Sequence, residues 1–304
     1  MTQPAETAPA DPKRTIAFQG QEGAYSHLAC AEAMADYRPL PCEVFEEAFA
    51  AVWDGKAARA MIPIENSVAG RVADIHNLLP DSDLHIIGEH FQHVNHMLMA
   101  LPGVALKDVK TVYSHVHALA QCRDVIRELK LKAIVHTDTA GACRMVAEKG
   151  DKTVAAIGSS LAAETYGLNV LRQNVQDHDN NVTRFLVMAR ERIVPHLMDG
   201  PVMTSFTFGV RSVPAALYKA LGGFATNTVN MTKLESYMRG GSFEQAQFYA
   251  DIEGHPDDPR VKLAMEELEF FTTHYRLLGT YPQHPSRKKT DDAPVSPVRK
   301  RRAG

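Results

Sequence analysis

The feature that most constrains this chain is an alternation of short apolar runs with helix-periodic stretches, starting at Thr15 and continuing to Met188. Apolar runs of strand length fall at 15–18, 59–64, 109–113, 133–136, 153–157 and 185–188. Between them, Phe45, Phe49 and Val52 at i, i+4 and i+7 mark an amphipathic helix, and another helix is expected to begin near Ser26. Strands alternating with helices predict an α/β fold with largely parallel sheets. In open sheets of this kind ligands bind outside the carboxyl ends of the strands. Three polar islands fall at such ends: Glu65-Asn66-Ser67, Ser114-His115 with Gln121 seven residues on, and Thr183-Arg184. A carboxylate, amides, hydroxyls and a cation are thus expected to converge on one cleft, an inventory suited to acid-assisted chemistry on a small anion.

From about Met203 the pattern changes. Phe206, Phe208 and Val210 alternate as in a half-buried strand, and Leu217, Ala220, Leu221 and Phe224 repeat at helical spacing. Strand readings follow at 229–234 and 248–252, then a helix start at Asp257-Asp258-Pro259, an Asp N-cap with Pro behind it, and a closing strand at 275–281. The order βαββαβ is that of a ferredoxin-like unit. Such a sheet is expected to leave an open edge and one uncovered face, where a second copy can pair. The ends read differently again. Residues 1–13 are rich in Pro, Ala and Thr and lack the apolar core of a signal peptide; residues 283–304 are Pro-punctuated and basic, and both are expected to be disordered.

Composition narrows the class. The chain has 304 residues, 45% hydrophobic and 23% charged, enough for about two domains with ample core. A net charge of −3 gives no reason to expect nucleic acid, and no aromatic residue follows Tyr281 in the basic tail to stack on a base. No apolar run approaches the ~18 residues of a membrane helix. Cys30, Cys42, Cys122 and Cys143 are scattered with no C-x-x-C pair, which reads as buried thiols in a reducing, cytoplasmic setting.

Each polar island has a plain and a functional reading. Glu65 is either a helix-capping carboxylate near Arg71 or an acid whose pKa burial raises toward the catalytic range. Asn66, Ser67 and Ser114 read equally as helix caps, and Gln121 as a surface residue. Arg184 pairs either with a substrate carboxylate or with an acid such as Asp177 or Asp179. Thr139-Ala140 and Ser159 sit where strands give way to helix starts, and several helix N-termini aimed at one crevice make a cradle for carboxylates. His85, His90, His93 and His96 lack the Cys or acid that would complete a zinc set, and Gly20-x-x-Gly23 lacks the third glycine of a dinucleotide fingerprint, so no metal or nucleotide cofactor is expected.

Read together, these islands resemble the prephenate dehydratases. The resemblance covers Thr15 to about Pro282 and rests on four motifs in order: Phe18-Gln19-Gly20-Gln21-Glu22-Gly23-Ala24-Tyr25-Ser26, Pro63-Ile64-Glu65-Asn66-Ser67, Val112-Tyr113-Ser114-His115 with Gln121-Cys122, and Asn181-Val182-Thr183-Arg184-Phe185. It implies a catalytic domain at 14–190 with two lobes of the periplasmic-binding type, followed at 203–282 by a ferredoxin-like ACT regulatory domain that pairs chains. It also implies decarboxylating dehydration of prephenate to phenylpyruvate without a cofactor, by a homodimer or homotetramer under feedback from L-phenylalanine. The resemblance assigns catalysis to Thr183, Glu65, Asn66, Ser114 and Gln121. It assigns substrate binding to Ser67, Thr139, Ala140, Ser159, Arg184 and Phe185. It assigns effector binding to Pro214, Ala215, Ala216, Leu217, Glu235 and Ser236. Three positions depart from the family pattern. Ala215-Ala216-Leu217 stands for Gly-Ala-Leu, Tyr237-Met238 follows Glu235-Ser236 where Arg-Pro is usual, and His115-Val116-His117 stands for His-Pro-Gln. Arogenate dehydratase, and a non-catalytic amino-acid sensor, are the rival expectations.

Overall fold

The computed structural model describes residues 11–211, 213–238 and 246–287. The first lobe runs through β1 (Thr15–Gln19), α1 (Tyr25–Ala33), β2 (Arg38–Cys42), α2 (Phe45–Trp53), β3 (Arg59–Asn66), β4 (Gly70–Arg71), α3 (Ala73–Leu78) and β5 (His85–His93). The chain then crosses to a second lobe of β6 (Met97–Ala100), β7 (Thr111–His115), α4 (Val116–Ala120), α5 (Arg123–Glu128), β8 (Lys132–His136), α6 (Thr139–Lys149), β9 (Val154–Gly158), α7 (Ser160–Tyr166) and β10 (Asn169–Arg172). It returns through β11 (Val182–Ala189), which closes the first sheet in the order β2-β1-β3-β11-β5. The second sheet has the order β10-β6-β9-β7-β8. Two lobes are what the resemblance implied, and two segments of the chain cross between them.

The sheets are mixed rather than largely parallel. β1 pairs in parallel with β2 and β3, but the returning β11 is antiparallel to both β3 and β5, and β6 is antiparallel to β9 and β10. A segment that crosses out of a lobe and comes back enters the sheet from the opposite end. β2 was not among the expected strands. Its Pro39 and Pro41 suppress the strand signal, yet an edge position tolerates proline because one side of the strand needs no partner. The amphipathic stretch at Phe45 is helical as expected, and burying Phe49 and Val52 contributes about 1.5–3 kcal/mol each.

A third sheet, β13-β14-β12-β15, follows a linker. It is built from β12 (Val202–Val210), α8 (Ala216–Thr226), β13 (Met231–Met238), β14 (Ala246–Glu253), α9 (Pro259–Phe271) and β15 (Thr272–Pro282). The βαββαβ order and fully antiparallel pairing are ferredoxin-like. Asp258 caps α9 by accepting from the Arg260 N–H, with Pro259 behind it. α8 and α9 cover one face through Phe206, Phe208, Phe224, Val261 and Leu268. The other face is not open, contrary to expectation. Met203, Tyr237, Tyr249, Leu278 and Tyr281 share a core with Ile62, Ile64, Ile75, Ile86, Leu186 and Met188 of the first lobe. Gly279 meets the Ile86 carbonyl so closely that a Cβ would clash.

Both ends are more ordered than composition suggests. Asp11 caps a short turn at Pro12–Arg14, while residues 1–10 lie outside the described residues. Beyond β15, the backbone N–H of His284 and the Arg287 guanidinium both bond to Glu89 on β5, and Arg287 lies 5.2 Å over the Phe91 ring. The rest of the expected tail, 288–304, is outside the described residues. All four cysteines are free and buried, and burial pushes the Cys122 and Cys143 thiols up to about 12. No helix among the described residues is long and apolar enough to cross a membrane.

Candidate active site

β3 and β11 are neighbours, and two successive rungs of that ladder hold four of the expected site residues. Thr183 pairs with Asn66, and Arg184 pairs with Glu65. The register then shifts, so that Phe185 faces Pro63 and Ile64 is the extra residue. This bulge reverses the alternation at the end of β3. Ile62 and Ile64 lie on the face that meets the C-terminal sheet. Regular alternation would send Glu65 to the other face and Asn66 to theirs; the bulge exchanges the two.

On the cleft face, the Asn66 amide donates from Nδ2 to Thr183 Oγ1 at 2.9 Å and to Asn181 Oδ1 at 2.7 Å. Its Oδ1 accepts from the Val68 and Ala69 backbone N–H groups, so the side chain is held at both ends. Asn181 Nδ2 donates to Gln121 Oε1 at 2.8 Å, and His96 Nε2 lies 3.0 Å from the same oxygen. The Tyr25 hydroxyl is 2.7 Å from His96 Nδ1. Two donors meeting at Gln121 Oε1 require a proton on His96 Nε2, which leaves Nδ1 to accept from Tyr25. Burial lowers the His96 pKa against the pull of the Gln121 bond, and burial raises the Tyr25 phenol, so both are neutral. The network Tyr25–His96–Gln121–Asn181–Asn66–Thr183 therefore joins both lobes and both crossing segments with uncharged groups. Because Asn66 donates into Oγ1, the Thr183 hydroxyl keeps its own proton to donate.

Several expected residues are brought to this set and others are not. Thr183 and Asn66 are joined directly, and Gln121 joins them through Asn181. Ser67 stands beside them, its hydroxyl donating to the Asn180 carbonyl and accepting from the Val182 N–H. Ser114 is fully buried inside β7 and donates to the Ile157 carbonyl across the sheet; His115, not Ser114, caps α4. Phe185 is buried in a core with Ile16, Phe18, Met61 and Val187. Asn181, His96 and Tyr25 carried no expected role. Asn181 and Tyr25 lie within the quoted motifs, and Asn181 stands two residues before Thr183, the spacing that puts strand side chains on one face.

Arg184 is the largest departure. Its side chain is 2% exposed and points away from the cleft: Nε donates to Glu89 at 2.8 Å, Nη1 to Glu65 at 3.0 Å and Asp251 at 2.5 Å, and Nη2 to the Tyr281 hydroxyl at 2.9 Å. A guanidinium with this many acidic partners has nothing left for a substrate carboxylate. Glu65 also accepts from Lys233 of β13 at 2.7 Å. Burial would raise the Glu65 carboxyl, but Lys233 and Arg184 outweigh it and hold its pKa below the ordinary value, the opposite of the direction expected of a catalytic acid.

Across the cleft, Ser159 caps α7 by accepting from the Ala162 N–H and donates to the Gly23 carbonyl of the first lobe at 2.5 Å. Gly23 has φ +81° and lies against Ala162 so closely that any Cβ would clash, which accounts for the glycine. Asp138 caps α6 through the Gly141 N–H and accepts from Gln21 Nε2. Thr139 and Ala140 form the first turn of that helix. A cavity of about 710 Å³ opens between the lobes, lined by Gln21, Glu43, Asp138, Arg144 and Tyr166 among others, but not by Thr183 or Asn66. Among the described residues no cluster of His, Cys, Asp and Glu is arranged to hold a metal.

The chain is similar to known proteins. A family model described as prephenate dehydratase matches residues 16–193. A bifunctional N-acyl-homoserine lactone acylase/prephenate dehydratase of Komagataeibacter europaeus is 50% identical, over 91% of this chain and 99% of its own length. An arogenate dehydratase/prephenate dehydratase of Arabidopsis thaliana is 40% identical, over 90% of this chain and 73% of its own. A solved prephenate dehydratase of Arthrobacter aurescens, in complex with L-Phe, superposes with a TM-score of 0.80 at 33% identity, over 88% of this chain and 90% of its own. With a family model across both lobes and relatives 40–50% identical matched over 73–99% of their own length, the chain belongs to the prephenate dehydratase family.

Proposed function

We propose that the reaction of this chain is the decarboxylating dehydration of prephenate to phenylpyruvate on the route to L-phenylalanine, in the cytoplasm and without a cofactor. The observation that carries it is the Asn66–Thr183 pair, a hydroxyl oriented by an amide that donates into its oxygen. The bond from the ring to its carboxylate breaks and releases carbon dioxide. Its electron pair enters the ring, the ring C–O bond breaks, and hydroxide leaves with the other pair. Aromatisation drives the step, and Thr183 donates a hydrogen bond to the departing oxygen. A donor placed where charge develops is worth about 10²–10³ in rate. Glu65 takes no proton-transfer role in this reading, because Lys233 and Arg184 hold it as a carboxylate. Thr139 and Ala140, with Arg144 of the same helix bordering the cavity, are assigned to a substrate carboxylate. Ser159 is assigned to holding the lobes together, as its bond to Gly23 supports.

Prephenate and arogenate differ by a keto and an amino group, and relatives carry both names. Purified protein supplied with prephenate, arogenate and an N-acyl-homoserine lactone in parallel decides among them. Phenylpyruvate formed from prephenate in excess of phenylalanine from arogenate is the expected outcome; its absence overturns the reading.

The C-terminal unit is proposed as an ACT module that binds L-phenylalanine and pairs chains into a homodimer or homotetramer, as the relative in complex with L-Phe supports. β12 and β13 both run antiparallel to β14, so Pro214-Ala215-Ala216-Leu217, following β12, and Glu235-Ser236, near the end of β13, fall at the same end of the sheet. Ala215, at φ +61°, holds a left-handed conformation that suits the glycine usual there. A prephenate assay titrated with L-phenylalanine, and light scattering with and without it, test effector and assembly. A flat titration and a monomer are the contrary outcomes.

A further inference from the structure

Next to the Asn66–Thr183 rung, and about 3.3 Å along the strands, the Glu65–Arg184 rung points the other way. Its two side chains meet each other at 3.0 Å, and each is also held from the C-terminal sheet: Glu65 by Lys233 at 2.7 Å, Arg184 by Asp251 at 2.5 Å. Asp251 is held in turn by the Ser205 hydroxyl at 2.5 Å, and Ser205 by Tyr281, which also accepts from Arg184. Lys233, Asp251 and Ser205 lie on three adjacent strands, so they form a rigid base. Three of the four charges are out of water: Arg184 is 2% exposed, Asp251 0% and Lys233 7%, while Glu65, at 34%, is partly buried.

We propose that Lys233 and Asp251, two residues of the C-terminal sheet, are positioning residues for Thr183, acting through the Glu65–Arg184 rung. Buried charges in a bidentate or shared arrangement tolerate little displacement, since an unpaired charge away from water is costly. The backbone of β11 at Arg184 is therefore held in place, and the hydroxyl one residue earlier inherits that position. Misplacing a catalytic group by about 1 Å costs up to 10²-fold in rate. The inference deepens the proposed reaction and rests on it for its kinetic arm.

The same domain contact has a second anchor away from this rung. Arg276 of β15 donates to the carbonyls of Pro80 and Ser82, before β5. That anchor separates positioning from mere docking. The experiment compares Lys233→Met, Lys233→Arg, Asp251→Asn and Arg276→Ala by amide exchange of the peptide spanning 181–185 and by kcat and KM on prephenate. Lys233→Met and Asp251→Asn are expected to speed exchange there roughly tenfold and to lower kcat roughly tenfold with KM within about twofold. Lys233→Arg restores both, and Arg276→Ala lowers the melting temperature while leaving exchange at 181–185 and kcat within about twofold of the parent. Wild-type exchange in both Lys233→Met and Asp251→Asn overturns the proposal, as does an Arg276→Ala protein that reproduces their effects. A parent protein with no turnover removes the proposed reaction instead, and the exchange comparison then decides this inference alone.

Discussion

The two faces of the β3–β11 pair are built from adjacent residues and have opposite chemistry. The cleft face at Asn66, Thr183 and Asn181 is neutral, half-buried and joined to the second lobe through Gln121 and His96. The reverse face at Glu65 and Arg184 is ionic and packed under a third sheet, which buries Arg184 fully and Glu65 in part. Residues committed to several buried charge pairs are structural by energetics, whatever motif they belong to. A neutral hydroxyl that accepts one bond and keeps its proton remains free to act on a ligand. The Thr183-Arg184-Phe185 motif is thus three different jobs in a row: a cleft hydroxyl, a cation joining domains and a core aromatic.

The sharpest break of this comparison is Arg184→Met. It leaves Glu89 and Asp251 buried with a partner missing, and a loss of about 3–5 kcal/mol is expected in denaturant unfolding. A loss near zero would mean that the reverse face is not structural. Thr183→Ala inverts the pattern. The expected outcome is a drop of roughly a hundredfold or more in kcat, about 2.7 kcal/mol, with the melting temperature nearly unchanged. An undiminished kcat in the folded variant removes Thr183 from the chemistry.

Acid titration sharpens the reverse face further. Burial raises the Asp251 carboxyl, but Arg184 and the Ser205 bond overcome it, and both Asp251 and Glu65 have pKa values below their ordinary ones. A group with a lowered folded pKa contributes stability that is complete above its unfolded pKa, about 4, and is lost as pH falls through the folded value. Stability followed by chemical unfolding should therefore decline below about pH 4, and less steeply in Asp251→Asn than in the parent. The smallest effect is expected at Ser114. Removing its buried bond to Ile157 in Ser114→Ala should cost about 1–3 kcal/mol of stability and leave kcat within about twofold. A kcat loss matching that of Thr183→Ala would return Ser114 to the catalytic set.

Much of this was open to a reader of the sequence, for physical reasons. The 3.6-residue spacing of Phe45, Phe49 and Val52, the Asp258-Pro259 helix start and the alternation of Phe206 and Phe208 are local signals, set by each segment's own burial and capping. They sufficed for an α/β part and a ferredoxin-like unit, while the division of the α/β part into two lobes came from the motif resemblance. Non-local facts were not open to it. The side on which Glu65 points depends on one extra residue at Ile64 against β11, a bulge that exists only when the strands pair. Whether Arg184 meets a substrate or an acid depends on Asp251, 67 positions along the chain. The covered face of the third sheet depends on Ile62, Ile75 and Leu186 from the first lobe. Periodicity along one strand says which residues share a face; only the packed structure decides what that face meets, because the dielectric, the partners and hence the charge state come from segments remote in sequence.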